Sequence, residues 1–265
     1  MNAMFSVIVT IRNEVHHIAD LLDSLVVQDA DFEIVVVDAG STDGTLDVLK
    51  RYTEKYDFIR VYDHGGTRGE GRNYGAEKAE GDVLAFTDGD CIANPFWLKE
   101  FGKTLKKSDI VAGRTVNIGY LAFSELERVE LYHKGTDITY PSCNLAYKKD
   151  VFFEAGGFDP WFITAEDIDL NYRAIDLGYR IEYNPNAIIY HRARDTFFGF
   201  FKQAFWNGYG RKQLTLKHGR LWGKYKPGEM FRRKVTAWHL IRLGVAVLGY
   251  LACKMKEKEA PTQRA

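Results

Sequence analysis

Cysteine is scarce in this chain of 265 residues, and Cys91, Cys143 and Cys253 lie far apart in the sequence. They form no Cys-x-x-Cys pair, which is the spacing typical of zinc sites and redox motifs. Their odd number and wide separation also argue against a disulfide framework. These absences predict a protein of a reducing compartment, with neither a zinc site nor disulfides.

Targeting segments, internal repeats and low-complexity linkers are missing as well. Residues 1–5 run directly into a strand-like segment, without the basic stretch and apolar core of a signal peptide. Hydrophobic residues make up 46% and charged residues 27% of the chain, which is typical of a folded protein rather than a disordered one. We therefore expect one large folded unit that faces the cytosol.

The formal net charge of zero conceals a strong asymmetry along the chain. From His191 onwards there are 17 basic residues against 4 acidic ones, whereas residues 1–190 hold 19 basic and 32 acidic residues. An acidic body with a basic, aromatic tail predicts an anionic surface as the partner of the tail. Nucleic acid and anionic lipid are the two candidates.

Short apolar runs alternate with amphipathic segments in the first half of the chain. The pattern predicts an α/β fold with a mostly parallel, Rossmann-type sheet flanked by helices. Ligands bind such sheets at the carboxyl ends of the strands, so the polar residues that follow the strands are candidates for a site. The predicted strands are residues 5–11, 33–37, 58–62 and 82–86, and the predicted helices are residues 14–26, 42–52 and 72–79.

The tail contains two segments of unusual composition. Residues 197–206 are strongly aromatic, and residues 235–253 are mostly apolar but include His239 and Arg242. A spanning helix needs about 20 apolar residues, and a central arginine is costly within a bilayer. Because basic residues flank the second segment, we expect an amphipathic helix that lies on an anionic membrane. A short or tilted span and a helix docked on the main body are the alternatives.

Two acidic motifs directly follow predicted strands. Asp88 and Asp90 are separated by Gly89, so both carboxylates can reach one hard cation, whose oxygen shell a diphosphate would complete. An acidic turn of this kind is otherwise often just solvated. Asp38 begins a Gly-Ser-Thr-Asp-Gly loop. It either contacts a base or ribose, or it starts a turn in which Ser41 or Thr42 caps the next helix.

Taken in order, these and neighbouring segments resemble the family 2 glycosyltransferases, whose catalytic domain has the GT-A fold. Several motifs in the same order make a far more specific match than any one of them. The resemblance implies an inverting, metal-dependent transfer of a sugar from a nucleotide-sugar donor. It covers about residues 4–215 and is carried by residues 6–14, 35–45, 71–76, 79–82 and 86–90.

The resemblance assigns donor and metal roles to single residues. Mn²⁺ or Mg²⁺ would be held by Asp88 and Asp90, and in some members by a histidine at the position of His191. A lone histidine at a strand end is otherwise more often a hydrogen-bonded surface residue. The donor would be held by Thr10, Arg12, Glu14, Asp38, Arg72, Asp88 and Gly89.

Acceptor-side motifs extend the resemblance. Residues 142–147 and 156–159 are similar to the segment that precedes the family's acceptor site. In Glu166-Asp167-Ile168-Asp169 the resemblance implies that Asp167, with Glu166 beside it, is the general base. Carboxylates at a helix N-terminus, favoured there by the dipole, are the alternative interpretation.

One motif departs from the processive members of the family, which carry Gln-x-x-Arg-Trp. Here Gln203-Ala204-Phe205-Trp206 lacks the arginine, and Arg211 is a candidate to supply that charge. The departure favours a single transfer for each encounter over polymer synthesis.

These inferences predict a GT-A catalytic domain at residues 1–215 and a basic, membrane-associating tail at residues 216–265. The predicted partners are a UDP- or GDP-hexose, a lipid-linked or glycan acceptor and the cytoplasmic face of an anionic membrane. A nucleotidyltransferase is the enzyme alternative, but the first strand is not followed by a glycine-rich phosphate loop. A nucleic-acid-binding module is the other, but the acidic body would repel phosphate, so no nucleic acid is expected as a partner.

Overall fold

The computed structural model describes residues 3–119, 128–192, 196–221, 224 and 236–257. An eight-stranded sheet runs in the order β3-β2-β1-β4-β9-β6-β10-β5, and β7 and β8 form a separate hairpin. The strands are β1 (Phe5–Ile11), β2 (Phe32–Asp38), β3 (Ile59–Asp63), β4 (Val83–Asp88), β5 (Cys91–Ala93), β6 (Ile110–Ile118), β7 (Tyr132–His133), β8 (Thr136–Asp137), β9 (Leu145–Lys148) and β10 (Ile181–Arg192). The helices are α1 (Ile18–Leu25), α2 (Thr45–Lys55), α3 (Arg68–Lys78), α4 (Trp97–Leu105), α5 (Lys149–Glu154), α6 (Glu166–Asp176), α7 (Phe197–His218) and α8 (Ala237–Lys256), and a 3₁₀ turn spans Ser142–Asn144.

The first four strands confirm the predicted parallel α/β arrangement. β1 pairs in parallel with both β2 and β4, and β3 adds in parallel beyond β2. Alternate residues of β1 enter two apolar layers: Val7 and Val9 pack with α1 and α4, whereas Ile8 packs with α3, α5 and α6. Burial on both faces explains why these strands read as continuous apolar runs.

The second half of the sheet is mixed. β9 pairs antiparallel with both β4 and β6, β10 runs parallel to β6, and β5 adds antiparallel to β10. The antiparallel register of β5 and β10 places His191 opposite Cys91. The chain therefore returns to the neighbourhood of Asp90 about a hundred residues after leaving it.

Two predicted helices begin later than their apolar pattern indicates. α1 starts at Ile18 because Asn13 takes a left-handed conformation, with φ of 58°, and its amide donates to Ser41 Oγ instead of a helical carbonyl. α2 starts at Thr45, and Gly44 occupies its N-cap with φ of 94°. The predicted capping by Ser41 or Thr42 is therefore wrong.

The two C-terminal helices pack against each other in parallel. Gly208 of α7 meets Ala246 of α8 so closely that a Cβ on Gly208 would overlap the Ala246 carbonyl, and Gly249 meets Phe205 in the same way. Small residues thus let the two backbones approach. α7 also contributes Leu214 to a third apolar cluster with Ile168 of α6, which fixes the helical pair to the α/β body.

Large apolar side chains remain exposed on this helical pair. They are Phe197, Phe198, Phe201, Leu240, Ile241, Leu243, Val247, Leu248, Leu251 and Met255. Among the described residues no helix combines the length and the apolar character that a bilayer span requires. The basic residues 232–234 and Lys258, which flank the predicted membrane segment, lie outside the described residues.

Candidate active site

A large cavity of about 2280 Å³ opens at the carboxyl ends of the parallel strands. It extends from the loop after β1, past the end of β4, to α7 and α8. Small-molecule pockets usually measure about 300–1,000 Å³, so this cavity has room for two substrates side by side. Of the eleven residues predicted for the site, ten line it, and they are Thr10, Arg12, Glu14, Arg72, Asp88, Gly89, Asp90, Glu166, Asp167 and His191.

Asp38 is the exception, because it is buried and its carboxylate shapes the loop that follows β2. Its Oδ2 accepts from the amides of Gly40, at 3.1 Å, and Ser41, at 2.9 Å. The Ser41 hydroxyl donates to Oδ1 at 2.5 Å. The neighbouring Ala39 lines the cavity. The turn interpretation of Asp38 is therefore supported in part, although its capping residue was wrong.

The loops after β1 and β2 are joined by hydrogen bonds between main chain and side chains. Asn13 Oδ1 accepts from the Thr42 amide at 2.8 Å, and the Glu14 amide donates to Thr45 Oγ1 at 2.9 Å. Thr10 Oγ1 is buried at the cavity wall without a hydrogen-bond partner in the described part of the chain. A buried hydroxyl of this kind requires an explanation, and a ligand in the cavity supplies one.

The glycine of the Asp-Gly-Asp motif is required by close packing. A Cβ on Gly89 would lie 2.8 Å from Ile11 Cγ2 and 3.1 Å from Glu14 Cγ. Gly89 thus lets the turn after β4 approach the loop after β1. Asp88 and Asp90 therefore lie in the same wall of the cavity as Arg12 and Glu14.

Arg72 is the electrostatic centre of the site and is almost fully buried, with 1% exposure. Its Nη2 donates to Asp88 Oδ1 and its Nη1 donates to Glu166 Oε1, both at 2.7 Å. Burial opposes the charged form of Arg72, but the two carboxylates outweigh it and raise its pKa. Burial likewise opposes ionisation of Asp88, and Arg72 more than compensates, so the pKa of Asp88 is lowered. Arg72 therefore ties the metal motif to the first residue of α6.

Asp90 and His191 form the best candidate for the metal site. His191 Nε2 lies 3.5 Å from Asp90 Oδ1, and Cys91 Sγ lies 4.0 Å from the same oxygen. The three ligand atoms lie within 4.8 Å of one another. A cation with bonds of about 2.0–2.3 Å needs ligand atoms within about 4.6 Å, so Asp90 and His191 fit a divalent ion. Asp88 lies beside them but is engaged by Arg72.

Asp167 has the environment of a general base. Its Oδ2 accepts from the Ser142 amide at 3.0 Å. Burial, reinforced by the neighbouring Glu166, raises the pKa of Asp167 to about 6. A carboxylate with a pKa close to neutrality accepts a proton more readily than an ordinary aspartate while remaining mostly ionised at pH 7. Glu166, by contrast, is held by Arg72 and serves to position the site.

Asp169 fastens α7 to α6. Its carboxylate is fully buried and is bonded by Lys217 Nζ at 2.9 Å and by His218 Nε2 at 2.7 Å. Burial would raise the pKa of Asp169, but the hydrogen bond from His218 and the charges of Arg173 and Lys217 lower it to about 2. The end of the aromatic helix is thus tied to the helix that carries Asp167.

Three further residues at the site were missed by the sequence reasoning. His64 follows β3, lines the cavity and stacks on Tyr74 with ring centroids 4.3 Å apart. It lies at the carboxyl end of a strand. Because polar residues that follow strands were taken as site candidates, the same criterion could have found it. Cys91 lies beside Asp90, and the Ser142 amide binds Asp167. Pairing of β5 with β10 places Cys91 opposite His191, and the 3₁₀ turn brings the Ser142 amide to Asp167; no local pattern signals either contact.

An open α/β sheet with a carboxylate-lined cavity at the carboxyl ends of its strands is the arrangement in which α/β enzymes bind nucleotide ligands. Sequence comparison then identifies the family. The profile described as glycosyl transferase family 2 matches residues 6–158, more than half of the chain, and the protein belongs to that family.

Individual relatives agree with this assignment. The glycosyltransferase AglE of Haloferax volcanii is 29% identical over 227 residues, covering 80% of this chain and 74% of the relative. The probable glycosyltransferase YdaM of Bacillus subtilis is 26% identical over 206 residues, covering 70% of this chain and 49% of YdaM. The predicted glycosyltransferase activity is thus supported, and the chain spans about half of the longer relative.

Solved structures confirm the fold. Residues 1–349 of TarS from S. aureus superpose with a TM-score of 0.60 at 24% identity, covering 93% of this chain and 80% of that one. The mannosyltransferase PcManGT from Pyrobaculum calidifontis, in complex with GDP-Man and Mn²⁺, superposes with a TM-score of 0.63 at 20% identity, covering 98% and 77%. The GT-A-like sheet predicted from the sequence is therefore confirmed.

Proposed function

We propose that the protein transfers a hexose from a UDP- or GDP-sugar to a lipid-linked acceptor, with inversion, at the cytoplasmic face of a membrane. The observation that carries the transfer is that one cavity is lined both by Asp167 and by the Asp90–His191 pair. Related proteins provide the donor chemistry: TarS has been solved with UDP and with UDP-GlcNAc, and PcManGT with GDP-Man.

The donor would lie along the wall formed by the loops after β1, β2 and β4. Asp90 and His191 would hold Mn²⁺ or Mg²⁺, with Asp88 beside them, and the bound ion would neutralise charge on the leaving diphosphate. Thr10 offers its unpartnered hydroxyl to the donor. Asp38 holds the loop after β2 in shape, and Ala39 of that loop reaches the cavity wall.

Asp167 would accept the proton of the acceptor hydroxyl while that oxygen bonds to the anomeric carbon. The bond from this carbon to the diphosphate oxygen breaks at the same time, and its electron pair leaves with the nucleoside diphosphate. Attack from the side opposite the leaving group inverts the anomeric centre. Asp167 is suited to this step because its pKa, raised to about 6, makes it a stronger base than an exposed aspartate.

The acceptor side of the proposal rests on the C-terminal helices. α7 and α8 line the far end of the cavity and also expose Phe198, Leu240 and Leu243. An acceptor with a lipid chain could lie along these side chains, and the same apolar surface could rest on the membrane that contains the lipid. This arrangement favours an interfacial enzyme.

Donor binding is the first test. Thermal unfolding of the full chain would be recorded with UDP and GDP, each with and without Mn²⁺, because a ligand of the native state raises the midpoint. We expect one nucleotide to raise it only with metal, and Asp90→Ala to abolish this shift. The exposed Asp29→Ala is the matched control. No shift with either nucleotide, in protein shown to be folded, would overturn the proposal.

Asp167→Asn tests the base. Because general-base catalysis contributes about 10²–10⁴-fold, sugar transfer should fall by that factor while the metal-dependent nucleotide shift persists. Equal loss of transfer and nucleotide binding would contradict the assignment of Asp167. Retained transfer would instead indicate an acceptor that is already ionised, such as a phosphate oxygen.

A further inference from the structure

The pairing of β5 with β10 places two metal-binding side chains together at the edge of the sheet. In this antiparallel pair His191 lies directly opposite Cys91. Side chains of directly opposed residues lie on the same face of a sheet, with Cβ atoms about 5 Å apart. Asp90 immediately precedes Cys91, the first residue of β5. A carboxylate, a thiol and an imidazole therefore meet where the turn after β4 enters the edge strand.

Asp88 and Asp90 differ in their cationic partners. Asp88 is ion-paired with Arg72, whereas no lysine or arginine pairs with the Asp90 carboxylate in the described part of the chain. Asp90 is nevertheless buried, with 8% of its surface exposed. Its carboxylate instead faces the His191 imidazole and the Cys91 thiol, which are metal-ligand groups themselves. Because buried carboxylates are either paired or bound to metal ions, this environment favours a bound cation.

The spacing of the three side-chain atoms fits a tetrahedral ion better than an octahedral one. Asp90 Oδ1 lies 3.5 Å from His191 Nε2 and 4.0 Å from Cys91 Sγ. Around a tetrahedral Zn²⁺, with bonds of about 2.0–2.3 Å, neighbouring ligand atoms lie about 3.3–3.8 Å apart. Around an octahedral Mg²⁺, with bonds of about 2.1 Å, they lie about 3.0 Å apart. Three protein ligands and an open fourth position are the arrangement of catalytic zinc sites.

Cys91 decides which class of cation such a ligand set prefers. Thiolate sulfur selects softer ions such as Zn²⁺, whereas Mg²⁺ is bound by oxygen ligands. A second buried thiol, that of Cys143, is hydrogen-bonded to Cys91, and partners of this kind orient a metal ligand. Cys-x-x-Cys spacing, whose absence predicted that no zinc site is present, does not register a site that strand pairing assembles.

We propose that Cys91 is the third protein ligand of the cation site, with Asp90 and His191, and that this site binds a thiophilic divalent ion in preference to Mg²⁺. The thiol proton leaves to solvent as Cys91 Sγ bonds to the ion. The open fourth position accepts an oxygen of the donor diphosphate. The inference rests on the proposed function and deepens it, because it names the class of cation at the same site.

Absorption spectroscopy of the metal-free full chain, titrated with Co²⁺, tests this ligand set. A thiolate bound to Co²⁺ gives a charge-transfer band in the near ultraviolet, and a tetrahedral ion gives far stronger visible bands than an octahedral one. We expect both signals, and Zn²⁺ but not an equal concentration of Mg²⁺ should remove them. Cys91→Ser should abolish the charge-transfer band and weaken Co²⁺ binding by more than about tenfold. Cys253→Ser, which removes a buried thiol of α8, is the matched control and should change neither.

Three outcomes would overturn the assignment: no charge-transfer band in the unmodified chain, visible bands of octahedral strength, or a band that persists in Cys91→Ser and disappears in Cys143→Ser. Cys91→Ala, which buries no hydroxyl, serves if the serine variant does not fold. The Mn²⁺-dependent nucleotide shift is measured on the same samples. Loss of that shift in every protein would refute the proposed function, whereas a retained shift without the charge-transfer band would refute only the Cys91 ligand.

Discussion

Charged residues are arranged differently at the two ends of the cavity. At the sheet end, Arg72 lies between Asp88 and Glu166 with both contacts at 2.7 Å, and nearly all of its surface is buried. At the helical end, Arg242 stands on a helix whose leucines are exposed. A reaction needs groups held in a narrow geometry, and buried ion pairs enforce it. A surface that binds an amphipathic molecule needs exposed apolar side chains with a charged group near them. The pair of α7 and α8 provides both.

The largest effect on stability should come from removing the Arg72 ion pairs at the sheet end of the cavity. Arg72→Met leaves the buried Glu166 and the partly buried Asp88 without their cation, and we expect a loss of about 3–5 kcal/mol in the free energy of unfolding. Denaturant unfolding would measure it. Adding Glu166→Gln should recover part of the loss, because one stranded charge is removed.

The exposed pair of Lys99 and Asp29 is the control for Arg72. Lys99→Met should lower the free energy of unfolding by about 1 kcal/mol or less, because water screens this pair. Similar losses in Lys99→Met and Arg72→Met would show that the Arg72 network does not organise the site.

The next effect concerns the helical end. Gly208→Ala places a methyl group against the Ala246 carbonyl, and overpacking of this kind costs about 1–3 kcal/mol. Gly244→Ala on α8 meets open space and should be neutral or stabilise by up to about 1 kcal/mol. Thermal unfolding would compare them. Equal midpoints would show that the two helices are not packed through Gly208.

Acidification should act on the sheet end through Asp167. Its pKa is raised to about 6, and the ionised form is the base, so activity is present above this pH and lost below it. We expect kcat/KM to fall about tenfold for each pH unit below 6. The apparent pKa belongs to Asp167 and Glu166 together, because the two carboxylates interact. A profile that stays level down to pH 4 would contradict the assignment.

The smallest effect should come from the exposed basic residues at the C-terminus of α8. Lys256→Gln removes one exposed cation at the end of α8, and each such charge contributes about 1 kcal/mol at an anionic surface. Binding to vesicles that contain phosphatidylglycerol should weaken about fivefold, as measured by co-sedimentation. Lys50→Gln on α2, which also removes an exposed cation, should have no effect. Equal weakening by both would indicate non-specific attraction.

Local patterns predicted the sheet end well. The strand at Phe5–Ile11 has the predicted bounds, and ten of the eleven predicted site residues line the cavity. The pattern placed α1 and α2 too early, because Asn13 and Gly44 adopt left-handed conformations that apolar periodicity does not register. Asp38 does not line the cavity, because both of its carboxylate oxygens accept hydrogen bonds from the loop that follows β2.

The sequence by itself determined the parallel half of the sheet, the order of the motifs and the absence of acidic residues from the C-terminal helices. Each of these features depends only on residues that are close together in the chain. Only the tertiary structure decided that His191 meets Asp90, that Arg72 joins Asp88 to Glu166, and that one cavity runs from them to Arg242. These contacts join residues that lie far apart in the chain. Strand pairing and helix packing bring them together, and the energy of that pairing is shared among many side chains rather than encoded in any one motif.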